Sequence, residues 1–135
     1  IIESISHLDQ YAVYDIKVKR EMDTIFPGPY TALLPAKNNT LSPLVQNGSQ
    51  NIGIRIPNHF FPIQLVKSLS RAIITTSINR HGKEPLNHVE QVECDFPNID
   101  IFEDSNHILS KGSTIVDYSI SPPKVIRQGD GLYPL

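Results

Sequence analysis

An arginine inside a run of β-branched residues is the first candidate for chemistry in this sequence. Arg55 lies between Ile54 and Ile56. A guanidinium in such a run either extends to solvent along its apolar stem or binds a carboxylate or a phosphate. Both interpretations stay open from the residues alone.

A run of hydroxyl and amide side chains is the second candidate. Thr75, Thr76, Ser77 and Asn79 follow the apolar residues 72–74, which fit a buried strand. Hydroxyl groups at the end of a buried strand need hydrogen-bond partners. The run therefore predicts either a turn that satisfies its own backbone or a ligand pocket lined by hydroxyls.

A third candidate is the stretch of small residues that contains Gly112, Ser113 and Thr114. Its backbone amides and hydroxyls could converge on an anion just before a strand. The same composition is also typical of an ordinary turn, so this stretch alone does not decide between the two.

Metal-dependent and covalent catalysis find no support in the residue pattern. The five histidines show neither the i, i+4 pairing of a zinc protease helix nor a cysteine at ligand spacing. No Gly-x-Ser-x-Gly motif occurs, and Glu84 follows Gly82 and Lys83 where a phosphate-binding P-loop requires Ser or Thr. We expect no metal site and no protein nucleophile.

The composition indicates a globular protein of the cytoplasm. The chain has 135 residues, a single cysteine and a formal net charge of -2. One cysteine suits a reducing compartment, and no apolar run is long enough to span a membrane. The charge balance provides no general attraction for nucleic acid, so any RNA contact must be local.

Helices and strands are expected to alternate along the chain. Apolar spacing predicts two short helices within residues 4–25, then helices at residues 61–70, capped by Asn58, and 88–94. Strands are predicted at residues 30–36, 51–56, 72–77, 99–102, 113–118 and 124–127, with a surface loop at 37–50. The pattern predicts one α/β domain over residues 1–135, with an open, twisted mixed sheet and flanking helices.

Five segments, read in order, carry a resemblance to a known family. They are Phe26-Pro27-Gly28-Pro29-Tyr30-Thr31, Ile52-Gly53-Ile54-Arg55-Ile56-Pro57, Ile74-Thr75-Thr76-Ser77-Ile78-Asn79, Gly112-Ser113-Thr114-Ile115-Val116-Asp117 and Val125-Ile126-Arg127-Gln128-Gly129. In order and spacing they resemble the YrdC family over nearly the whole chain.

The resemblance implies a threonylcarbamoyl-AMP synthase, a nucleotidyltransferase that acts in threonylcarbamoyl modification of tRNA adenosine 37. Its substrates would be L-threonine, bicarbonate and ATP, with Mg²⁺ accompanying the nucleotide. Bicarbonate carboxylates the threonine amine, and the carbamate oxygen attacks the α-phosphate and expels pyrophosphate. Because no protein nucleophile is needed, positioning and charge stabilisation would supply most of the catalysis.

The resemblance also assigns site residues. Arg55 and Ser113 match positions on the threonine side, with Arg55 expected at the carboxylate. The nucleotide side is matched by Thr75, Ser77, Asn79 and Arg127. Thr31 lies near this site in the family, but the sequence gives it no role.

The chain departs from the family pattern in one respect. It contains neither the Pro-Thr-Glu-Thr-like segment nor the Lys-x-Arg segment that bind threonine, phosphates and RNA in the family. We therefore expect an N-terminally truncated, C-terminal portion of the family domain, which alone would be inactive and bind tRNA weakly. tRNA and tRNA-modification proteins are the partners that the resemblance implies for the intact protein.

Two alternatives stay open. The first is a non-catalytic, nucleotide- or RNA-binding protein of the YrdC/YciO-like kind. The second is the carbamoyl-adenylate-handling domain of hydrogenase-maturation proteins, which usually comes with zinc-finger-like cysteines. The single cysteine, Cys94, argues against the second alternative.

Overall fold

A computed structural model describes residues 1–37, 41–80, 82–102 and 109–133. The chain divides into two compact units. The first unit contains residues 1–74 and 112–135, and the second contains residues 75–111. Each unit is described by itself.

The first unit is built on a four-stranded mixed sheet. Its strands are β1 (Tyr30–Pro35), β2 (Asn51–Ile54), β3 (Thr114–Asp117) and β4 (Lys124–Arg127), in the order β2-β1-β3-β4. β1 pairs antiparallel with β2 and parallel with β3, and β3 pairs antiparallel with β4. The predicted open mixed sheet is confirmed.

Two helices at the start of the chain pack on this sheet. A 3-10 helix spans Ile5–Gln10, and α1 spans Ile16–Ile25. The carboxylate of Asp15 accepts a hydrogen bond from the Val18 amide at 2.8 Å, which satisfies one of the free donors at the start of α1. Pro27 follows directly after the end of the helix because it cannot continue a helical hydrogen-bond ladder.

A short 3-10 helix spans Pro43–Val45, and the next helix of this unit, α2, spans Phe60–Leu69. Its N-cap is His59, whose Nδ1 accepts from the Phe61 amide at 3.3 Å. The prediction that Asn58 caps this helix was therefore wrong by one residue. α2 ends where Ser70 adopts a left-handed conformation with φ of 49°.

One face of the sheet forms the core. The alternation of side chains along each strand turns apolar residues of β1, β2 and β3 toward the helices. The core contains Leu8, Ala12, Met22, Ile25, Ala32, Leu34, Ile52, Ile54, Ile56, Val116 and Tyr118. The intervening residues of the strands lie on the opposite, open face of the sheet.

The second unit contains one described helix, α3 (Val89–Asp95), close to the predicted residues 88–94. The predicted strands at residues 72–77 and 99–102 do not form. Ala72 packs against the core, but Ile74 is 75% exposed and Phe102 is 80% exposed, so neither run is buried along its length. β-branched and aromatic residues favour strands only where a neighbouring strand and a buried face exist.

The helices of the described residues are short. α1 and α2 have ten residues each, about half of what a bilayer-spanning helix needs. No helix in the described ranges meets the length and hydrophobicity of a membrane span.

Candidate functional site

Four polar residues of the first unit lie on or beside the open face of the sheet. They are Thr31, Arg55, Ser113 and Arg127. The register pairs Thr31 of β1 with Ile115 of β3, and Ile115 with Arg127 of β4. Arg55 lies one residue beyond Ile54, a core residue of β2, and so continues the alternation toward the open face. Residues more than 70 positions apart in the chain are thereby brought together.

Ser113 is the centre of the hydrogen bonds at this site. Its side chain is 94% buried, with a relative exposure of 6%. Its Oγ lies 2.7 Å from Thr31 Oγ1, and Arg127 Nη2 donates to the same Oγ at 3.3 Å. Arg127 also donates to the Ser113 carbonyl from Nη2 at 2.8 Å and from Nε at 3.2 Å. The guanidinium of Arg127 is thus fixed against the start of β3.

Two glycines permit this close packing. Gly112 has φ of 83°, a left-handed conformation that favours glycine. A Cβ on Gly129 would lie 2.5 Å from the Ser113 carbonyl carbon and still closer to the Gly112 oxygen. The chain after β4 can therefore approach the Gly112-Ser113 backbone only without a side chain.

Arg55 has a buried side-chain donor without a partner in the described part of the chain. Its Nε is buried and makes no hydrogen bond there. Burial, and secondly the positive charge of Arg127, lower the pKa of Arg55 below its usual value. Arginine nevertheless keeps its charge in proteins, so two cations act on one region of the open face. Among the described carboxylates, none forms an ion pair with either arginine. The arrangement favours a bound anion.

The predicted nucleotide residues of the second unit lie in an exposed turn. Ser77 Oγ donates to Asn79 Oδ1 at 2.6 Å, and Asn79 Nδ2 donates to the carbonyls of Arg80 and Lys83 at 3.1 and 3.0 Å. Thr75 and Ser77 are exposed, so the premise that these hydroxyls lie at the end of a buried strand was wrong. The role of these residues in nucleotide binding stays a prediction.

Sequence reasoning predicted Arg55, Ser113 and Arg127 as site residues, and the structure brings these three to one part of the sheet, but the sequence reasoning missed the contact of Thr31 with Ser113. The available signal was the position of Thr31 at the start of a strand, out of phase with the core residues Ala32 and Leu34. The contact itself joins residues 82 positions apart. Only the parallel pairing of β1 with β3 brings them together.

No metal centre is apparent in the parts of the chain that the structure describes. Groups of three or more His, Cys, Asp or Glu side chains suited to holding an ion are absent from those residues. Of the five histidines, His81 and His107 lie outside the described residues.

Comparison with curated proteins finds relatives of two kinds. The chain is 26% identical to the uncharacterized protein YciO of Escherichia coli K12, over 94% of this chain and 63% of YciO. It is 30% identical to the threonylcarbamoyl-AMP synthase of Mus musculus, over 92% of this chain and 47% of that enzyme. The chain therefore spans about half to two thirds of the length of these relatives.

Solved structures share the fold. The crystal structure of E. coli YciO matches with a TM-score of 0.83 and 25% identity, over 95% of this chain and 63% of YciO. The crystal structure of P. abyssi Sua5 complexed with L-threonine matches with a TM-score of 0.82 and 25% identity, over 95% of this chain and 38% of Sua5. The family model for Sua5, YciO and YrdC, described as "Telomere recombination", matches residues 1–129. The chain belongs to the Sua5/YciO/YrdC family.

Proposed function

We propose that this chain provides threonine- and nucleotide-binding residues of a threonylcarbamoyl-AMP synthase. The overall reaction converts L-threonine, bicarbonate and ATP into threonylcarbamoyl-AMP, pyrophosphate and water. The threonine amine attacks the bicarbonate carbon, water leaves, and an oxygen of the resulting carbamate attacks the α-phosphate of ATP. The bond from the α-phosphorus to the bridging oxygen then breaks, and pyrophosphate departs.

The observation that supports this proposal most strongly is the unneutralised Arg55 beside the hydrogen-bonded group of Ser113 and Arg127. A planar guanidinium binds a carboxylate with two parallel hydrogen bonds. The buried Nε of Arg55 is one such donor without a partner in the described residues. We assign Arg55 and Ser113 to the threonine carboxylate. The Sua5 structure that this chain resembles contains L-threonine.

We assign Arg127 to the negatively charged phosphates of the nucleotide. Its guanidinium is held by the Ser113 backbone and is therefore oriented before any ligand binds. A preorganised cation stabilises charge that develops on phosphate oxygens during the attack. Thr75, Ser77 and Asn79 are assigned to the nucleotide as hydroxyl and amide contacts. The described residues do not fit a protein-held metal, so Mg²⁺ is assigned only as the counter-ion that ATP brings.

A second candidate function is nucleotide or RNA binding without synthesis of threonylcarbamoyl-AMP. The match to YciO, an uncharacterized protein, extends over 94% of this chain, and the match to the Mus musculus synthase extends over 92%, so the fold is compatible with both functions. tRNA and tRNA-modification proteins would be partners under either function.

The deciding experiment supplies the chain, and the full-length protein that contains it, with L-threonine, bicarbonate and ATP. Mass spectrometry then measures threonylcarbamoyl-AMP, and a phosphate assay after pyrophosphatase measures pyrophosphate. The synthase proposal expects both products in equal amounts from the full-length protein. Arg20→Ala, on the exposed surface of α1, is the matched control for Arg55→Ala. ATP binding without either product would favour the second function.

A further inference from the structure

Thr31 has no assigned role, yet its hydroxyl contacts the buried Ser113 of the neighbouring segment. Its Oγ1 lies 2.7 Å from Ser113 Oγ on the β3 side. On the β2 side, the position of a Cβ on Gly53 would be only 3.3 Å from the Thr31 Cγ2 methyl. The methyl therefore points to the side of Gly53 while the hydroxyl points to Ser113, and a threonine has few χ1 rotamers, so these two directions belong to one rotamer.

The hydrogen-bond capacity of Ser113 determines what this contact does. A serine hydroxyl has one proton and two lone pairs, and arginine can only donate. Arg127 Nη2 therefore occupies one lone pair of Ser113 Oγ. If Thr31 donates into the other, the Ser113 oxygen accepts no more bonds, and its own O–H needs an acceptor. No described residue supplies that acceptor.

We propose that Thr31 is a positioning residue that donates to Ser113 Oγ and so directs the Ser113 O–H toward the substrate carboxylate at Arg55. The inference rests on the proposed function for the identity of the carboxylate, L-threonine. Arg127, which donates to Ser113 Oγ, interacts electrostatically with Arg55, so the hydroxyl and the two cations belong to one region of the open face. A ligand carboxylate can then accept from Ser113 O–H and Arg55 at once.

The test compares Thr31→Val, which keeps the shape and loses the hydroxyl, with Thr31→Ser, which keeps the hydroxyl. Thr24→Val on α1 is the matched control, since Thr24 Oγ1 bonds only a carbonyl of its own helix in this structure. Calorimetry measures the L-threonine dissociation constant. NMR couplings of the Ser113 β-protons measure its rotamer. Thr31→Ala repeats both measurements should the valine variant not fold.

Thr31→Val is expected to weaken L-threonine binding about tenfold and to spread Ser113 over several rotamers. Thr31→Ser is expected to stay within about twofold of wild type, and ATP affinity is expected to be unchanged. In an Ser113→Ala background, Thr31→Val should have no further effect on L-threonine binding, because the group it positions is gone. Thermal stability should change equally in Thr31→Val and the Thr24→Val control.

A single unchanged Ser113 rotamer in Thr31→Val would overturn the inference. So would equal losses of affinity in the valine and serine variants, or additive losses in the Ser113→Ala background. If the wild-type full-length protein bound no L-threonine while Ser113 still lost its rotamer in Thr31→Val, the positioning role would stand. The proposed substrate would then be the part that fails.

Discussion

At the scale of single residues, Arg55 and Arg127 differ in what holds them. Arg127 has three hydrogen bonds to Ser113, whereas the buried Nε of Arg55 has no described partner. A cation that is already fixed can orient a ligand. A cation with a buried free donor gains most from the arrival of one, because burying an unpaired donor is costly.

The first prediction concerns Arg55. Arg55→Ala should weaken L-threonine binding about 100-fold, since a hydrogen-bonded charge pair is lost. Arg55→Lys should recover little of that loss, because an ammonium cannot form the two parallel bonds. Calorimetry with the full-length protein checks both variants, and Arg20→Ala should bind as wild type does. Unchanged affinity in Arg55→Ala would remove this residue from the site.

The second prediction concerns the turn at Ser77 and Asn79. Ser77→Ala should cost less than about 1 kcal/mol of folding stability, because the hydroxyl is exposed and can bond water. Both Ser77→Ala and Asn79→Ala should reduce the rise in melting temperature that ATP produces. The exposed neighbour Thr76 provides the control, as Thr76→Val. An undiminished ATP-induced shift in both variants would show that the polar groups of this turn bond one another and their own backbone, and not ATP.

At this scale the sequence predicted which residues are candidates for the site, but it did not predict the contacts between them. From the residues alone the roles of Arg55 and Ser113 stayed open, and the family resemblance assigned them to the site. The bond from Thr31 to Ser113 could not be predicted, since it depends on which strands are neighbours. The burial of Thr75 and Ser77 was predicted wrongly for the same reason, because burial depends on what packs against a segment.

At the scale of elements, all four strands of the sheet and the helices α1, α2 and α3 were predicted within a few residues. Most of them have apolar residues that pack on the core, whereas β4 is largely exposed and is held by its pairing with β3. The two predicted strands that do not form, at residues 72–77 and 99–102, have strand-like residues but no sheet beside them. In the described chain, Ile73 exchanges backbone hydrogen bonds with Ile1 alone, at 2.7 and 3.1 Å. Composition alone cannot distinguish these two situations.

The third prediction concerns the close approach of the segment after β4 to the start of β3. Gly129→Ala would place a methyl group on backbone atoms of Gly112 and Ser113, which cannot move away as a flexible side chain would. We expect a loss of at least about 2 kcal/mol in the free energy of unfolding. Gly53→Ala, whose new methyl would meet only side-chain atoms, should cost less. Urea unfolding measures both, and equal losses would contradict the prediction.

At the scale of the whole first unit, a chain of phenols joins distant segments. Tyr118, 5% exposed, donates to Tyr133 Oη at 3.1 Å, and Tyr133 donates to Glu21 Oε2 of α1 at 3.1 Å. Burial, followed by the bond to Tyr133, raises the pKa of Tyr118 above its usual value of 10.0. The fold therefore favours the neutral phenol.

The fourth prediction follows from the sign of that shift. A group whose pKa is higher in the folded state contributes stability that is complete below its unfolded pKa and is lost as pH rises above it. The unfolding free energy should therefore fall above about pH 10, and it should fall less steeply in Tyr118→Phe. Urea titrations at pH 8 to 11.5 measure both slopes. Equal slopes in wild type and variant would show that another group dominates alkaline unfolding.

The placement of Arg55 at the end of β2 also has a consequence for how the sheet assembles. A strand paired one residue out of step turns every side chain to the opposite face. Such a slip would drive the Arg55 guanidinium into the core position of Ile54, at a cost on the order of several kcal/mol for a buried ion. The cation that we assign to the threonine carboxylate would thus also disfavour a misassembled sheet. Arg55→Val, which tolerates both pairings, should refold with a lower yield of monomer than Arg55→Lys, and equal yields would refute this role.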